Sequence, residues 1–350
     1  MKKALILSGI VLGLFVVSSF FMTKIVYDQS FPRFERFDDS INASLRYEDI
    51  EDIYERELFN FKSSGNILQG YLYPIDNPLG LMVIVHGLGG GADSYIPYAK
   101  WFLDQGFMVL MYDATGSFDS EGDSTKGFPQ SLIDLEAALN YISEDNTLNR
   151  LDLVLFGHSW GGYAVANSLY LNDSIKAVVV ASAPYKSLDM TFEQAKKSMG
   201  FFTYTQWPFL ALYERLLFGN YTSFSAIDAI NESEAPVLII HGLHDDVVDI
   251  NGSAIMARRN DITNPNAHFM TRDLENRDGH NDLFRSLDAV NYLETLNIDY
   301  RALYETHDEN IPYELKQAFY AGVDRFLVQE LDEDLMQAIY AFLLNALSTE

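Results

Sequence analysis

The hydrophobic pattern of this chain alternates between short apolar runs and segments whose apolar residues recur at helical spacing. Two stretches of alternating polar and apolar residues, 57–62 and 67–73, flank a glycine-containing turn and predict an antiparallel hairpin. The runs that follow predict further strands, at residues 81–85, 107–112, 151–156, 175–181, 236–240 and 267–272. Strands and helices in this order favour an α/β fold with a mostly parallel sheet and helices on both faces.

The same alternation predicts how the chain is divided. Residues 57–300 contain the strands and helices of one large domain, and residues 301–350 follow as an acidic, helical C-terminal extension. Within the domain, residues 184–234 interrupt the alternation with an aromatic insertion, which predicts a helical cap on the core or a lid over the site. Residues 25–56 are polar and acidic, and we expect them to connect the domain to residues 1–24.

The first 24 residues predict a membrane segment. Lys2 and Lys3 precede a 19-residue apolar run at residues 4–22 that carries no charge, and this run is long enough to span a bilayer. The short tail with the two lysines should stay in the cytoplasm, which places the rest of the chain outside as a single-pass protein. A secretory signal peptide has the same charged start but a shorter apolar core, so secretion after cleavage is the alternative.

Composition limits the classes of partner. The 350 residues are 48% hydrophobic, which is ample for a sizeable core. Fifty acidic residues against 24 basic ones leave a net charge of −26, so a nucleic acid backbone would be repelled. The chain has no cysteine, which excludes disulfides, a cysteine nucleophile and thiolate metal sites.

Candidate chemistry begins at residues 157–161, Gly-His-Ser-Trp-Gly, where an apolar run ends abruptly and a helical segment begins. A turn this sharp forces its central residue into a strained conformation and requires small residues at positions 157 and 161. Both positions are glycine. The turn would hold the Ser159 hydroxyl above the sheet edge beside a helix N-terminus, so Ser159 is a candidate nucleophile.

A serine nucleophile needs a base, and the base needs a carboxylate partner that fixes its tautomer. The base should be a loop histidine at the carboxyl edge of the strands, where active sites of such sheets lie. Of the seven histidines, His280 follows the last predicted strand and His244 follows the preceding one. For each of them, a surface or structurally bonded imidazole is the alternative.

The motifs resemble those of the α/β-hydrolase superfamily, in particular the α/β-hydrolase-domain esterases and the serine aminopeptidase-like (S33) group. The resemblance covers about residues 57–295 and depends on four motifs in the family's order. These motifs are His86-Gly87 after a strand, Gly157-His-Ser-Trp-Gly161, His241-Gly-Leu-His-Asp245 with Val248, and Gly279-His-Asn-Asp282. The resemblance therefore implies the α/β-hydrolase fold and the family order of serine, acid and histidine.

The resemblance also implies a role for each site residue. It makes Ser159 the nucleophile, His280 the base, and Asp245 the carboxylate that orients the base. Asp246 is the neighbour with which this carboxylate could be confused. The implied oxyanion hole consists of the backbone N–H groups of two residues, Leu88 and Trp160. Neither a metal nor a cofactor is implied.

Two structural expectations accompany the resemblance. Residues 113–122 resemble a family loop, but Thr115 stands in place of its arginine, so we expect this loop to pack differently. In family members with an insertion after the sixth core strand, the insertion covers the nucleophile. Several cap aromatics should then face Ser159 across a cavity, namely Phe201, Phe202, Trp207 and Phe209. Aromatics that point away would favour a peptide substrate over a lipophilic ester.

The functional prediction is a membrane-anchored, extracytoplasmic serine hydrolase that acts on a small apolar ester or acyl substrate. A carboxylesterase is preferred because the insertion is aromatic. A serine peptidase, aminopeptidase or thioesterase of the same mechanism is the alternative. A hydrolase-fold binding module that has lost catalysis is the alternative from another class. The oligomeric state is left open.

Overall fold

A computed structural model describes residues 2–348. Met1, Thr349 and Glu350, which the predicted segments 1–24 and 301–350 include, lie outside the described residues. Eight strands form one sheet in the order β1-β2-β4-β3-β5-β6-β7-β8. Their bounds are β1 Glu57–Ser63, β2 Asn66–Tyr73, β3 Leu81–Val85, β4 Met108–Tyr112, β5 Leu153–His158, β6 Ile175–Ala181, β7 Val237–Gly242 and β8 Ala267–Arg272.

The direction of the strands confirms the predicted fold class. Strand β2 is antiparallel to β1 and β4, and all other neighbouring strands of the sheet are parallel. The central strands are buried on both faces, as β3 illustrates: Leu81, Val83 and Val85 face one core, whereas Met82 and Ile84 face the other. A strand that contributes to two cores has no polar face, which explains its continuous apolar sequence.

Helices cover both faces of the sheet. Those in the described residues are α1 Lys2–Ser30, α2 Ile96–Asp104, α3 Phe128–Glu144, α4 Trp160–Asn167, α5 Ser187–Met199, α6 Thr203–Phe218, α7 Ala226–Glu232, α8 Leu287–Thr306, α9 Tyr313–Ala321, α10 Arg325–Val328 and α11 Glu333–Ser348. Helices α3 and α4 contribute to one core, and α2 and α11 to the other. The segment between β7 and β8 contains a 3₁₀ helix, Ile255–Asp261.

The C-terminal segment is part of the domain. The predicted boundary at residue 300 falls inside α8. The last helix, α11, buries Leu335, Met336, Ile339 and Leu343 against the sheet, at spacings of one, three and four residues that define one face of a helix. These residues therefore close the second core.

The N-terminal helix also enters the domain. Helix α1 continues to Ser30, past the predicted end at residue 24, and buries Ser19, Thr23 and Tyr27 at four-residue intervals. It is the one helix of the described residues that is long and apolar enough to cross a membrane. Its apolar N-terminal part is exposed, whereas its C-terminal end packs into the core.

The connector after α1 docks on the loop at residues 113–122. The Arg33 guanidinium donates hydrogen bonds to the carbonyls of Phe118, Ser120 and Gly122, at 2.6, 2.8 and 3.0 Å. Thr115, which stands where the family loop has arginine, instead bonds to the buried Asp134 through its backbone N–H and its hydroxyl. The loop is therefore stabilised by an arginine from a distant part of the chain.

We expect Arg33→Ala to lower the free energy of unfolding by about 2 kcal/mol, because three carbonyls lose a charged donor. Thermal unfolding of the full chain in detergent measures the effect. Glu35→Ala is the matched control, since it removes the exposed partner of the same arginine and should cost less than about 0.5 kcal/mol. Equal effects of the two variants would contradict this account of the loop.

Candidate active site

The turn between β5 and α4 has the strained geometry that the sequence predicts. Ser159 has φ 57° and ψ −115°, a region that non-glycine residues rarely occupy. A Cβ atom at Gly157 would lie 2.4 Å from the Gly161 carbonyl oxygen, and one at Gly161 would lie 2.0 Å from the Val85 carbonyl oxygen. Both glycines are therefore required for helix and strands to approach this closely.

The structure brings Ser159, His280 and Asp245 together at the carboxyl edge of the sheet. Ser159 Oγ lies 2.8 Å from Nε2 of His280, and Nδ1 of the same ring lies 2.8 Å from Oδ2 of Asp245. All three residues are buried. Both distances are those of good hydrogen bonds. The arrangement can pass a proton from the serine hydroxyl to an imidazole that a carboxylate orients.

Asp245 is held as a carboxylate by the loop in which it lies. Its Oδ1 accepts hydrogen bonds from the backbone N–H groups of Val247 and Val248, at 2.9 and 2.8 Å. Burial acts to raise the pKa of Asp245, but the hydrogen bonds from His280 and the Val248 N–H outweigh it, so the pKa lies below its ordinary value. Asp245 is therefore charged at neutral pH.

The residues that the sequence leaves as alternatives lie outside this arrangement. Asp246, the residue directly after Asp245, is exposed to solvent. His244 is largely exposed, and its Nδ1 lies 2.8 Å from Oδ2 of Asp278. That contact is the main reason why the pKa of His244 is raised.

A second set of hydrogen bonds, which sequence reasoning missed, connects the loops around the serine. The Tyr95 hydroxyl accepts a hydrogen bond from the Gly87 N–H and lies 2.9 Å from Nδ1 of His158. Nε2 of His158 lies 2.9 Å from the His280 carbonyl oxygen, so Nε2 must carry the proton and Nδ1 must accept from Tyr95. Burial lowers the pKa of His158 to about 3, which keeps the ring neutral.

The two predicted oxyanion donors border the serine. The Trp160 N–H is the first amide of α4 and so has no acceptor within its helix. The indole of Trp160 is fixed by a hydrogen bond to the Phe128 carbonyl oxygen. Leu88 lies in the loop after β3. A Cβ atom added to the residue before it, Gly87, would lie 3.5 Å from the Ser159 Cβ, so this loop runs close to the serine.

A cavity of about 920 Å³ opens above Ser159. Its apolar lining comes from α1, the segment after it, the core and the cap, and includes Val26, Tyr27, Phe31, Phe128, Met190, Met199, Leu210 and Phe284. Polar side chains in the lining include Thr191, Gln194, Thr203, Gln206 and Asn281. The cavity is large enough for a substrate of drug-like size.

The prediction that cap aromatics face the serine is wrong for all four residues. Phe201 and Phe202 are exposed, Trp207 packs on Phe192, and the Phe209 ring lies 6.3 Å from that of Phe15 in α1. Helix α6 instead turns a face with three other side chains to the cavity, those of Thr203, Gln206 and Leu210. The sequence shows which residues share a helix face, but it does not show which face meets the core.

Among the described residues, one group has the donors and spacing for a metal ion, namely His244, Asp273 and Asp278. His244 and Asp273 are exposed, and exposed groups of this kind are common without an ion. The chemistry of a serine, a histidine and a carboxylate requires no metal.

The cap contains a buried carboxyl group that connects it to α1. Glu214 contacts the hydroxyls of Ser187 and Thr191 within the cap and the hydroxyl of Tyr27 in α1. Burial raises the pKa of Glu214 to about 7, against partly compensating hydrogen bonds from these hydroxyls. The carboxyl is therefore close to half-protonated at neutral pH.

Strand order, the turn at Ser159 and the comparisons below show the α/β-hydrolase fold, and they confirm the predicted resemblance to that superfamily. A family model described as serine aminopeptidase, S33, matches residues 76–227, which is less than half of the 350-residue chain. The similarity to that particular family therefore applies to residues 76–227.

Individual relatives are distant. The protein YfhR of Escherichia coli (strain K12) is 27% identical over 191 residues, which are 53% of this chain and 61% of YfhR. YqkD of Bacillus subtilis is 27% identical over 198 residues, or 54% of this chain and 63% of YqkD. The chain thus matches about three fifths of the length of these relatives.

Among solved structures, the esterase Pf2001 of Pyrococcus furiosus superposes with a TM-score of 0.54. The superposition covers 77% of this chain and 94% of that one, at 18% sequence identity. At this level of identity the likeness shows the fold alone.

The raised pKa of Glu214 predicts how the stability of the fold depends on pH. Its pKa in the folded chain, about 7, lies above the ordinary 4.5, so its contribution to stability is fully present below about pH 4.5. That contribution is lost as the pH rises through 7. Compared with Glu214→Gln, the wild type should therefore lose up to about 3 kcal/mol of stability between pH 5 and pH 8. Thermal unfolding of both chains in detergent measures this difference, and a difference that does not change with pH would contradict it.

Proposed function

We propose that this chain is a serine hydrolase that cleaves an ester through an acyl-enzyme intermediate on Ser159. The observation that carries the proposal is the continuous hydrogen-bonded series from Ser159 through His280 to Asp245, at the carboxyl edge of the sheet. The match to a hydrolase family model over residues 76–227 supports the same class of reaction.

The proposed reaction has two steps. His280 Nε2 takes the proton of Ser159 as its Oγ attacks the substrate carbonyl, and Asp245 stabilises the imidazolium. The tetrahedral intermediate collapses when His280 gives that proton to the leaving alcohol. Water then attacks the acyl-enzyme, with His280 again as base, and releases the acid and the free serine.

The backbone N–H groups of Leu88 and Trp160 are proposed to stabilise the negative oxygen of both tetrahedral intermediates. Donors in such positions are each worth about 3 to 4 kcal/mol in comparable acyl-transfer sites. The bridge from the Gly87 N–H through Tyr95 and His158 to the His280 carbonyl supports this role, because it ties the Leu88 loop to the loop of the base.

The choice between ester and peptide depends on the cavity. The outward-facing cap aromatics remove the argument that first favoured a lipophilic ester. The cavity supplies another one, because its lining is rich in apolar side chains from α1, the core and the cap. Among the described residues that line it there is no Asp or Glu to bind the ammonium group of a peptide N-terminus. An ester with an apolar acyl group is therefore preferred to an aminopeptidase substrate.

A location outside the cytoplasm is part of the proposal. It is supported by the apolar helix α1 and by Lys2 and Lys3 at its start, which favour a cytoplasmic N-terminus. The alternative from another class, a binding module without catalysis, differs in one simple observable. A fluorophosphonate probe should label Ser159 in the hydrolase and leave the binding module unlabelled.

We expect Ser159→Ala and His280→Ala each to lower kcat by about 10⁴-fold or more, since losing a member of such a triad removes nucleophilic catalysis. Thermal unfolding should show that the serine variant stays folded, because the change leaves no core cavity. Hydrolysis of p-nitrophenyl butyrate by the full chain in detergent measures the effect.

Matched controls come from the neighbouring residues. His244→Ala should leave kcat nearly unchanged, and Asp246→Asn should cost little, whereas Asp245→Asn should lower kcat by about 10³ to 10⁴-fold. Loss of activity in His244→Ala comparable to that in His280→Ala would show that the base is assigned to the wrong histidine.

The apolar lining of the cavity predicts how the rate depends on the length of the acyl chain. Each added methylene buried in the cavity should contribute up to about 0.8 kcal/mol, so kcat/KM for p-nitrophenyl esters should rise up to about fourfold per carbon from acetate until the pocket is filled. A flat or falling profile to octanoate would remove the preference for an apolar acyl group and favour the peptidase.

A further inference from the structure

The length of α1 that is free to cross a membrane is shorter than a bilayer. Helix α1 contacts the cap at Phe15, whose ring lies 6.3 Å from that of Phe209. The part before this contact, residues 2–14, extends about 20 Å at 1.5 Å per residue, whereas the hydrocarbon core of a bilayer is about 30 Å thick. If α1 spans the membrane, residues 15–22 must also lie in hydrocarbon, together with the cap residues that pack on them.

Helix α6 follows α1 into that region. The Phe209 ring lies beside that of Phe15, the Tyr213 ring 6.0 Å from that of Phe20, and Glu214 beside Tyr27. Residue numbers rise together along both helices, so the two helices run in the same direction. The N-terminal end of α6 is therefore the end that lies deepest on the membrane side.

The outer face of α6 carries several exposed apolar side chains. Phe201, just before the helix, is 83% exposed, and Leu216 near its end is 65% exposed. Tyr204 and Leu212 between them are also exposed. Large apolar side chains in a row on the surface mark a binding or membrane-contact face. The exposed charge of the helix, Arg215, lies near its shallow C-terminal end and bonds to the Gly219 carbonyl oxygen.

We propose that α6 lies in the outer leaflet beside α1 and that the cavity takes its substrate, a lipophilic ester, directly from the bilayer. The second part rests on the proposed hydrolase function. Thr203, Gln206 and Leu210 of α6 line the cavity from one side, and Val26 and Tyr27 of α1 line it next to them. One helix diameter, about 10 Å, therefore separates the cavity from the lipid at this wall.

The contact with lipid is apolar rather than electrostatic. With a net charge of −26, the chain as a whole is repelled by anionic headgroups. The driving force is the burial of exposed side chains such as Phe201 and Leu212 in hydrocarbon. The contact should accordingly form in uncharged phosphatidylcholine and persist at high salt.

The position of α6 is tested with single-cysteine variants. Because the chain has no cysteine of its own, each variant is labelled at one known position. Phe201→Cys and Leu216→Cys are labelled with an environment-sensitive fluorophore in the full chain. The labelled chains are then reconstituted in phosphatidylcholine vesicles that carry spin-labelled acyl chains. Ile298→Cys on α8 is the matched control, since Ile298 is 62% exposed.

Lipid quenching should be at least about twofold stronger at positions 201 and 216 than at 298. Position 201 should be quenched more by spin labels deep in the acyl chain, and position 216 more by shallow ones. Quenching at 201 and 216 no stronger than at 298 would overturn the proposed position of the cap, whatever the catalytic activity.

The source of the substrate is tested with Leu216→Glu, which changes an outward-facing residue. This variant should lower hydrolysis of a long-chain fluorogenic ester embedded in phosphatidylcholine vesicles by about tenfold, and leave hydrolysis of water-soluble p-nitrophenyl acetate within twofold. Ile298→Glu should leave both rates unchanged.

Unchanged vesicle hydrolysis in Leu216→Glu would overturn access from the bilayer, and so would equal losses on both substrates. Failure of the proposed function looks different, because the wild type would then hydrolyse neither ester and take no fluorophosphonate. In that case the quenching experiment still decides where α6 lies.

Discussion

The close approach of α4 to the ends of β3 and β5 is the constraint on which the site depends. Gly161 lies against the Val85 carbonyl so tightly that a methyl group would overlap it. Any side chain there would push the helix away from the sheet and relax the positive φ of Ser159. The hydroxyl would then leave the 2.8 Å contact with His280. Backbone packing thus sets the distance on which the proposed proton transfer relies.

Buried histidines serve this geometry by remaining neutral. His158 holds the His280 carbonyl with its Nε2, and burial keeps its pKa near 3. Burial also lowers the pKa of His241, whose Nε2 bonds to the Val248 carbonyl and lies 3.4 Å from Asp245. Since neither ring is charged at neutral pH, neither competes with His280 for the carboxylate.

The features that could be predicted from the sequence are those that depend on residues close together in the chain. Strand positions follow from continuous apolar runs, and the turn at Ser159 follows from two glycines that no other residue can replace. Tyr95 could not be found in this way, because its role depends on a histidine 63 positions away that only folding brings near. The orientation of α6 was missed because its sequence offers several apolar faces, and the choice among them depends on α1.

The packing of α1 connects this long apolar helix to the site. The rings of Tyr27 and Phe31 lie 4.9 Å apart, and Phe31 meets Phe128 at 6.0 Å. The Phe128 carbonyl in turn accepts the indole hydrogen bond of Trp160, the residue after Ser159. Because these contacts are buried and continuous, the domain cannot rotate freely about α1. A bilayer around the helix would therefore fix the orientation of the cavity relative to the membrane.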